Sequence, residues 1–228
     1  MMRNMYVIRQ IRGNRGFNSF FFLYGIFFIV GLVLFAFIKR GDVVLFVNKL
    51  SREWFDSYAE YITDLGLGSI MAVLMLLLIF WRIRYAIIGL LDLAIVGIFT
   101  NLIKKSFYSQ GRPFKYLYYD DLTRFIHTAE LNYFSSFPSG HTMTIFAVMS
   151  LLAYLTGKKW VGIVFFLIAL MVGFSRIYML QHFFVDVYFG SFLGIVATFL
   201  ALWLAEEKLK FMRNRKLNGS IFSLFGDR

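Results

Sequence analysis

The chain has 228 residues, of which 59% are hydrophobic and only 16% charged, with a formal net charge of +11 and no cysteine. Soluble domains carry roughly 45–50% apolar and about 25% charged residues, so an ordinary water-soluble domain is excluded. Disulfides, thiolate metal sites and cysteine nucleophiles are excluded too, whereas the positive charge leaves nucleic acid open until its distribution is examined.

Crossing the hydrocarbon layer of a membrane takes about 20 apolar residues in a helix. Runs of that kind occur at 18–38, 65–81, 85–103, 139–155, 160–174 and 186–204. The first follows basic residues, as a signal peptide does, but it is long, aromatic-rich and lacks a small-residue cleavage site, so it is expected to be retained. Between the first two runs, Leu50, Trp54, Phe55, Tyr58 and Ile62 recur at near-helical spacing with charged residues between them, which predicts a short helix over 47–62 lying in the interface. The 104–137 loop is polar and tyrosine-rich, with Tyr116, Tyr118 and Tyr119 suited to headgroup depth. The expected fold is all-α: a domain over 1–210 with six membrane spans and the short interfacial helix, then a basic, flexible cytoplasmic tail over 211–228.

Six spans put the two termini and the 82–84 and 156–159 connections on one side. That side holds fourteen basic and three acidic residues, against ten and nine on the other. Positive charge marks the cytoplasmic face, which predicts an N-in, C-in protein of the cytoplasmic membrane. Topology and contact with anionic lipid then account for the basic excess, and nucleic acid is not an expected partner.

Three polar clusters interrupt the apolar pattern, and all fall on the outward side. They are Lys105 and Arg112-Pro113 after the third run, Pro138-Ser139-Gly140-His141 before the fourth, and Ser175-Arg176 with His182 and Asp186 between the last two. Ionisable groups at membrane depth are costly and mark function. Lys105, Arg112 and Arg176 supply cationic donors that suit phosphate oxygens. Ser139 and Gly140 open an apolar helix whose first N–H groups favour an anion. His182 and Asp186 stand four apart, so on a helix the carboxylate fixes the imidazole tautomer and leaves the other ring nitrogen to attack. His141 is then available as general acid. No carboxylate cluster for Mg²⁺ or histidine set for Zn²⁺ is present in the pattern, so no metal or other cofactor is expected.

The arrangement Lys105-x6-Arg112-Pro113, Pro138-Ser139-Gly140-His141 and Ser175-Arg176-x5-His182-x3-Asp186 resembles the three-part signature of the type 2 phosphatidic acid phosphatases. That superfamily includes lipid phosphatases and, more distantly, vanadium haloperoxidases. The resemblance implies His182 as nucleophile, Asp186 as its orienting carboxylate and His141 as leaving-group acid. It implies Lys105, Arg112, Ser139, Gly140 and Arg176 as phosphate holders, and hydrolysis without a metal. The implied substrate is a membrane lipid phosphate: undecaprenyl pyrophosphate, lipid A, phosphatidylglycerol phosphate or phosphatidate, with family analogy leaning to the first two. Transfer to an alcohol, and a transporter or binding protein on the same scaffold, are the competing readings.

Other features have plainer expectations. Lys104 and Lys115 read as snorkelling anchors. His127 reads as a surface or interfacial residue. Asp92, alone in the third run, is expected to face the bundle interior and share a hydrogen bond. Gly190 and Gly194 read as a helix-packing pair, within the monomer or in a possible homodimer.

Overall fold

In the computed structural model, residues 12–107, 110–117, 124 and 133–224 are described. The expectations for Tyr118, Tyr119 and His127 lie outside them. Helix α1 (Arg15–Phe37) starts at Asn14, whose side-chain oxygen accepts from the Phe17 N–H at 2.9 Å and whose amide donates to the Tyr154 carbonyl at 2.7 Å. Next come α2 (Asp42–Lys49), α3 (Glu53–Asp64) and α4 (Gly68–Leu77), the last tightening into a 3₁₀ turn over Leu78–Phe80. Helix α5 (Ile83–Ser106), the short α6 (Pro113–Leu117), α7 (Gly140–Thr156), α8 (Lys159–Tyr178) and α9 (Phe184–Trp203) complete the bundle. No strand occurs among the described residues, and the all-α class stands.

Four helical segments are long and apolar enough to cross a membrane: Arg15–Phe37, Ile83–Ser106, Lys159–Tyr178 and Phe184–Lys208. The segments Glu53–Asp64 and Gly68–Phe80 pass the same test together, bent by 55°, which brings the number to five. By length and composition, four or five of the expected six spans are found. The second run follows α3 across that 55° bend, and Gly140–Thr156 falls short with only 17 residues, or ~25 Å at the helical rise. Burial explains how α7 tolerates that length. Every residue from 142 to 153 is buried, so α7 faces protein and not lipid.

The remaining helices pack around α7. It contacts α9 and α8 most extensively, then α5 and α1. Outward, α1 exposes Phe22, Ile29 and Phe37 at 70%, 63% and 84%, the apolar exterior of a chain solvated by lipid. Small residues set the closest crossings. A Cβ on Gly194 would sit 2.4 Å from the Met143 carbonyl oxygen, and one on Gly190 2.7 Å from that of Ser139. The Gly190-x3-Gly194 pair is thus used inside the chain, where α9 crosses the start of α7. Gly16 and Gly162 bring α1 and α8 together in the same way, since a Cβ on Gly162 would fall 2.0 Å from the Gly16 carbonyl oxygen.

Asp92 faces the interior, fully buried, as its isolation in an apolar run predicts. Thr198 donates to its Oδ2 at 3.2 Å and also meets Ser150 at 2.9 Å, so a polar thread ties α5, α7 and α9. The single helix expected over 47–62 is two helices instead. The break lies at 50–52, where Arg52 is extended (φ −139°, ψ 139°) and the Ser51 hydroxyl donates to the Asn48 carbonyl at 2.6 Å. The interfacial character persists on α3, which exposes Trp54, Tyr58 and Tyr61 and buries Ala59 and Thr63. Past 204 the backbone forms a π-helical turn (Leu204–Lys208) and then 3₁₀ turns. Part of the segment read as a tail is laid against the bundle: Met212 is fully buried, and the Ile83 N–H donates to the Gly219 carbonyl at 3.0 Å.

Candidate active site

The three polar clusters converge at one end of the bundle, beside the start of α7. Ser139 caps that helix: its hydroxyl meets the Thr142 hydroxyl at 2.8 Å, and its N–H donates to the Asp186 carbonyl at 3.0 Å. The last bond joins the second cluster to the third. Gly140 and His141 follow as the first two helical residues, where backbone N–H groups lack intrahelical partners and favour an anion. Close packing matters here as well, because a Cβ on Gly66 would lie 2.8 Å from that of His141.

Arg112 is held by the loop segment at Tyr133 and Phe134 and by a glutamine. Its N–H donates to the Tyr133 carbonyl at 3.0 Å, its Nε to the Phe134 carbonyl at 2.9 Å and its Nη1 to Gln181 Oε1 at 2.6 Å. Arg176 ends α8, with Nη1 donating to Thr63 Oγ1 at 2.8 Å. The turn after α8 folds over the Arg176 carbonyl, which accepts from both the Gln181 N–H at 3.0 Å and the His182 N–H at 3.2 Å. Leu180 takes a left-handed conformation there (φ 57°), a cost of about 1–2 kcal/mol that the buried surroundings of this turn sustain.

His182 is 1% exposed and Asp186 is completely buried. Asp186 opens α9, and its Oδ2 accepts from the Phe183 N–H at 2.9 Å and from the Ser136 hydroxyl. Nδ1 of His182 faces the same oxygen at 3.6 Å, longer than a hydrogen bond, a spacing that catalytic pairs commonly tighten on binding substrate. That contact leaves Nε2 as the ring nitrogen not engaged by Asp186. Burial pulls the imidazole down from its ordinary value of 6.5 to about 3, with Asp186 opposing and Arg176 and Arg112 reinforcing the shift. The ring is therefore neutral at physiological pH.

These groups surround a cavity of about 280 Å³ lined by Glu60, Thr63, Asp64, Leu67, Lys104, Arg112, His141, Arg176, Met179, Gln181 and His182. The structure thus brings together Arg112, Arg176, His141 and His182, with Asp186 behind His182 and Ser139 and Gly140 at the helix start. Lys105 is not among the lining residues: it is exposed, and its neighbour Lys104 projects inward instead, with Nζ 3.9 Å from the position of a Gly140 Cβ. One residue on a helix is a rotation of about 100°, so adjacent lysines cannot share a face. The sequence reading also missed Thr63, Glu60, Asp64, Gln181 and Ser136. Of these, only Gln181 and Ser136 lay near a cluster in the sequence, close enough to be noticed.

A second, mostly apolar groove of about 320 Å³ adjoins this cavity, between α4 and α5. It shares Leu67 and His141 with the cavity and continues along Ala72, Leu90, Leu93, Val96 and Gly97. His141 stands where the polar and apolar spaces meet.

The profile of the PAP2 superfamily matches residues 85–210. A relative named phosphatidylglycerophosphatase B, from Bacillus subtilis, is 30% identical over 181 residues, 73% of this chain and 82% of that protein. Among solved structures, Aquifex aeolicus LpxE shares the fold with a TM-score of 0.64 at 24% identity, covering 73% of this chain and 96% of that one. A second structure, described as the first transmembrane PAP2 type phosphatidylglycerolphosphate phosphatase from Bacillus subtilis, gives a TM-score of 0.57 at 25% identity over 86% of this chain and 98% of that one. With spans, fold and sequence in agreement, this multi-pass membrane chain belongs to the PAP2 superfamily and is a phosphoric-ester hydrolase.

Proposed function

We propose that the chain dephosphorylates a membrane lipid on the outward face of the cytoplasmic membrane, through a phosphohistidine formed on His182 and without a metal. The observation that carries this reading is a single cavity lined by two histidines and three cationic side chains, with an apolar groove leading away from one of the histidines. The phosphate settles among Lys104, Arg112 and Arg176 and the first N–H groups of α7, which neutralise its charge. His182 Nε2 attacks phosphorus in line and forms the N–P bond. As the P–O bond to the lipid breaks, His141, whose protonated form the negative charge of the bound phosphate favours, gives its proton to the departing oxygen. Water then attacks the phosphohistidine, His141 takes its proton, and the P–N bond breaks to release inorganic phosphate and neutral His182.

The groove gives the substrate a direction. Its apolar lining suits a lipid chain entering sideways from the membrane, which sets the leaving-group oxygen beside His141. Phosphatidylglycerol phosphate is the first candidate, on the strength of the Bacillus relative's name. Glu60 and Asp64 on the cavity wall disfavour a second phosphate linked directly to the first, as in undecaprenyl pyrophosphate. This shifts the lean away from undecaprenyl pyrophosphate, which remains with lipid A and phosphatidate as the other arms of the test. That test is phosphate release from each of these four lipids by purified protein in detergent, with His182→Ala alongside. Release from one lipid by the wild type, reduced at least ~10³-fold in the variant, is expected. Equal release by the variant would overturn the nucleophile; binding of every lipid with no release from any would favour a non-catalytic carrier.

A further inference from the structure

Asp186 is tied down on one side only. Its Oδ2 carries the contacts to Ser136, Phe183 and His182, whereas Oδ1 is buried and has no hydrogen-bond partner among the described residues. Leaving a carboxylate oxygen buried without a partner is expensive, so the nearby charge matters. The guanidinium of Arg40 supplies it, with Nη2 at 4.0 Å from Oδ1. Arg40 belongs to the connection between α1 and α2, far in sequence from all three clusters. Its side chain, 44% exposed, meets three partners: Asp186, the Phe183 ring at 4.3 Å, and Gln110 Oε1 by a long bond from Nη2 at 3.4 Å.

We infer that Arg40 is a positioning residue for the His182–Asp186 couple, acting on the carboxylate from the side opposite the imidazole. The inference rests on His182 being the nucleophile. Two effects follow from one cation. Arg40 draws Oδ1 outward, which holds Oδ2 toward Nδ1 and keeps Nε2 aimed at phosphorus. It also offsets part of the Asp186 charge, which restrains Asp186 from converting His182 into its protonated, non-nucleophilic form. The charged and titratable groups around His182 are Glu60 and Asp64 of α3, Lys104 of α5, Arg112, His141 of α7, Arg176 of α8 and Asp186 of α9. Arg40 differs from them in reaching His182 only through Asp186, and it is absent from the cavity lining.

The test compares Arg40→Met, which preserves a stem to pack on Phe183 but removes the charge, with Arg40→Lys, which restores it. In Arg40→Met, kcat should fall about 10- to 100-fold with KM within about twofold of wild type, as expected for misorientation of a reacting group. The acid limb of kcat/KM should move to higher pH by about half a unit or more, because the imidazolium of His182 gains an unopposed carboxylate. Arg40→Lys should recover most of both changes. Wild-type kcat and pH profile in Arg40→Met would overturn the inference, and so would equal losses in both variants accompanied by a lowered melting temperature, which would make Arg40 a packing residue. His182→Ala separates the two levels. If that variant stays active the nucleophile is wrong; if it is dead while Arg40→Met is normal, only the role of Arg40 fails.

Discussion

At His182 the controlling quantity is charge. A group whose native pKa is depressed from 6.5 to about 3 stays neutral while the same residue in an unfolded chain takes up a proton. Linkage then fixes the sign: between those values the unfolded state binds the extra proton, so stability falls as pH drops from about 6.5 toward 3 and is independent of this residue above that window. Melting temperatures in detergent should therefore decline through the acid range in wild type and decline less in His182→Gln. Lys104 and Lys105 give a second test at this scale. Lys104→Ala should raise KM and lower kcat/KM by about 10-fold or more, as loss of a charge-assisted contact to phosphate does, and Lys105→Ala should stay within about twofold. A reversed order would restore the assignment that the motif spacing favours. Vanadate, with the geometry of five-coordinate phosphorus, should inhibit in competition with substrate, and a chelator should leave turnover unchanged, because the proposed mechanism neutralises the phosphate with side chains alone. A strict Mg²⁺ requirement would show the site to be misread.

Helix α7 shows what an element contributes beyond its length. It delivers His141 to the cavity and Gly140 to the groove beside it, and has no room to move, because α9 lies across its first turns at Gly190 and Gly194. Gly194→Leu should therefore destabilise the protein by about 1–3 kcal/mol or more, and the displaced start of α7 should cost activity before unfolding is complete. Melting temperature and phosphate release measured on the same samples check both parts. The sequence reached the helix start, the cap and the glycine pair, because each is a local pattern with a local cause. It did not reach the separation of 47–62 into two helices or the 55° bend between α3 and α4. Those depend on what α3 packs against, and Ala59 and Thr63 turn inward only because α8 is there.

At the scale of the molecule, ionisable residues were legible as function because the rest of the chain is apolar and lipid-facing. Arg112, His141, Arg176, His182 and Asp186 stand out against that background, and the structure gathers them. Contributions from outside the clusters were not legible. Thr63 reaches Arg176 from a helix 113 residues earlier, and Arg40 reaches Asp186 from the connection after α1, so only the folded chain shows them as neighbours. That Lys104 and not Lys105 lines the cavity was not legible for a different reason, the phase of a helix at its last turn.

The meeting of the polar cavity and the apolar groove at His141 has a kinetic consequence. In the proposed mechanism the lipid alcohol freed in the first half-reaction lies in the groove and diffuses back into the bilayer, while the phosphoryl group stays bound to His182. On that mechanism the alcohol's departure opens the space beside His141 to water, which makes the expected order of release lipid first, inorganic phosphate second. The two products also disperse into different phases. Neither accumulates beside the other, and reversal requires both to return to one small space at once.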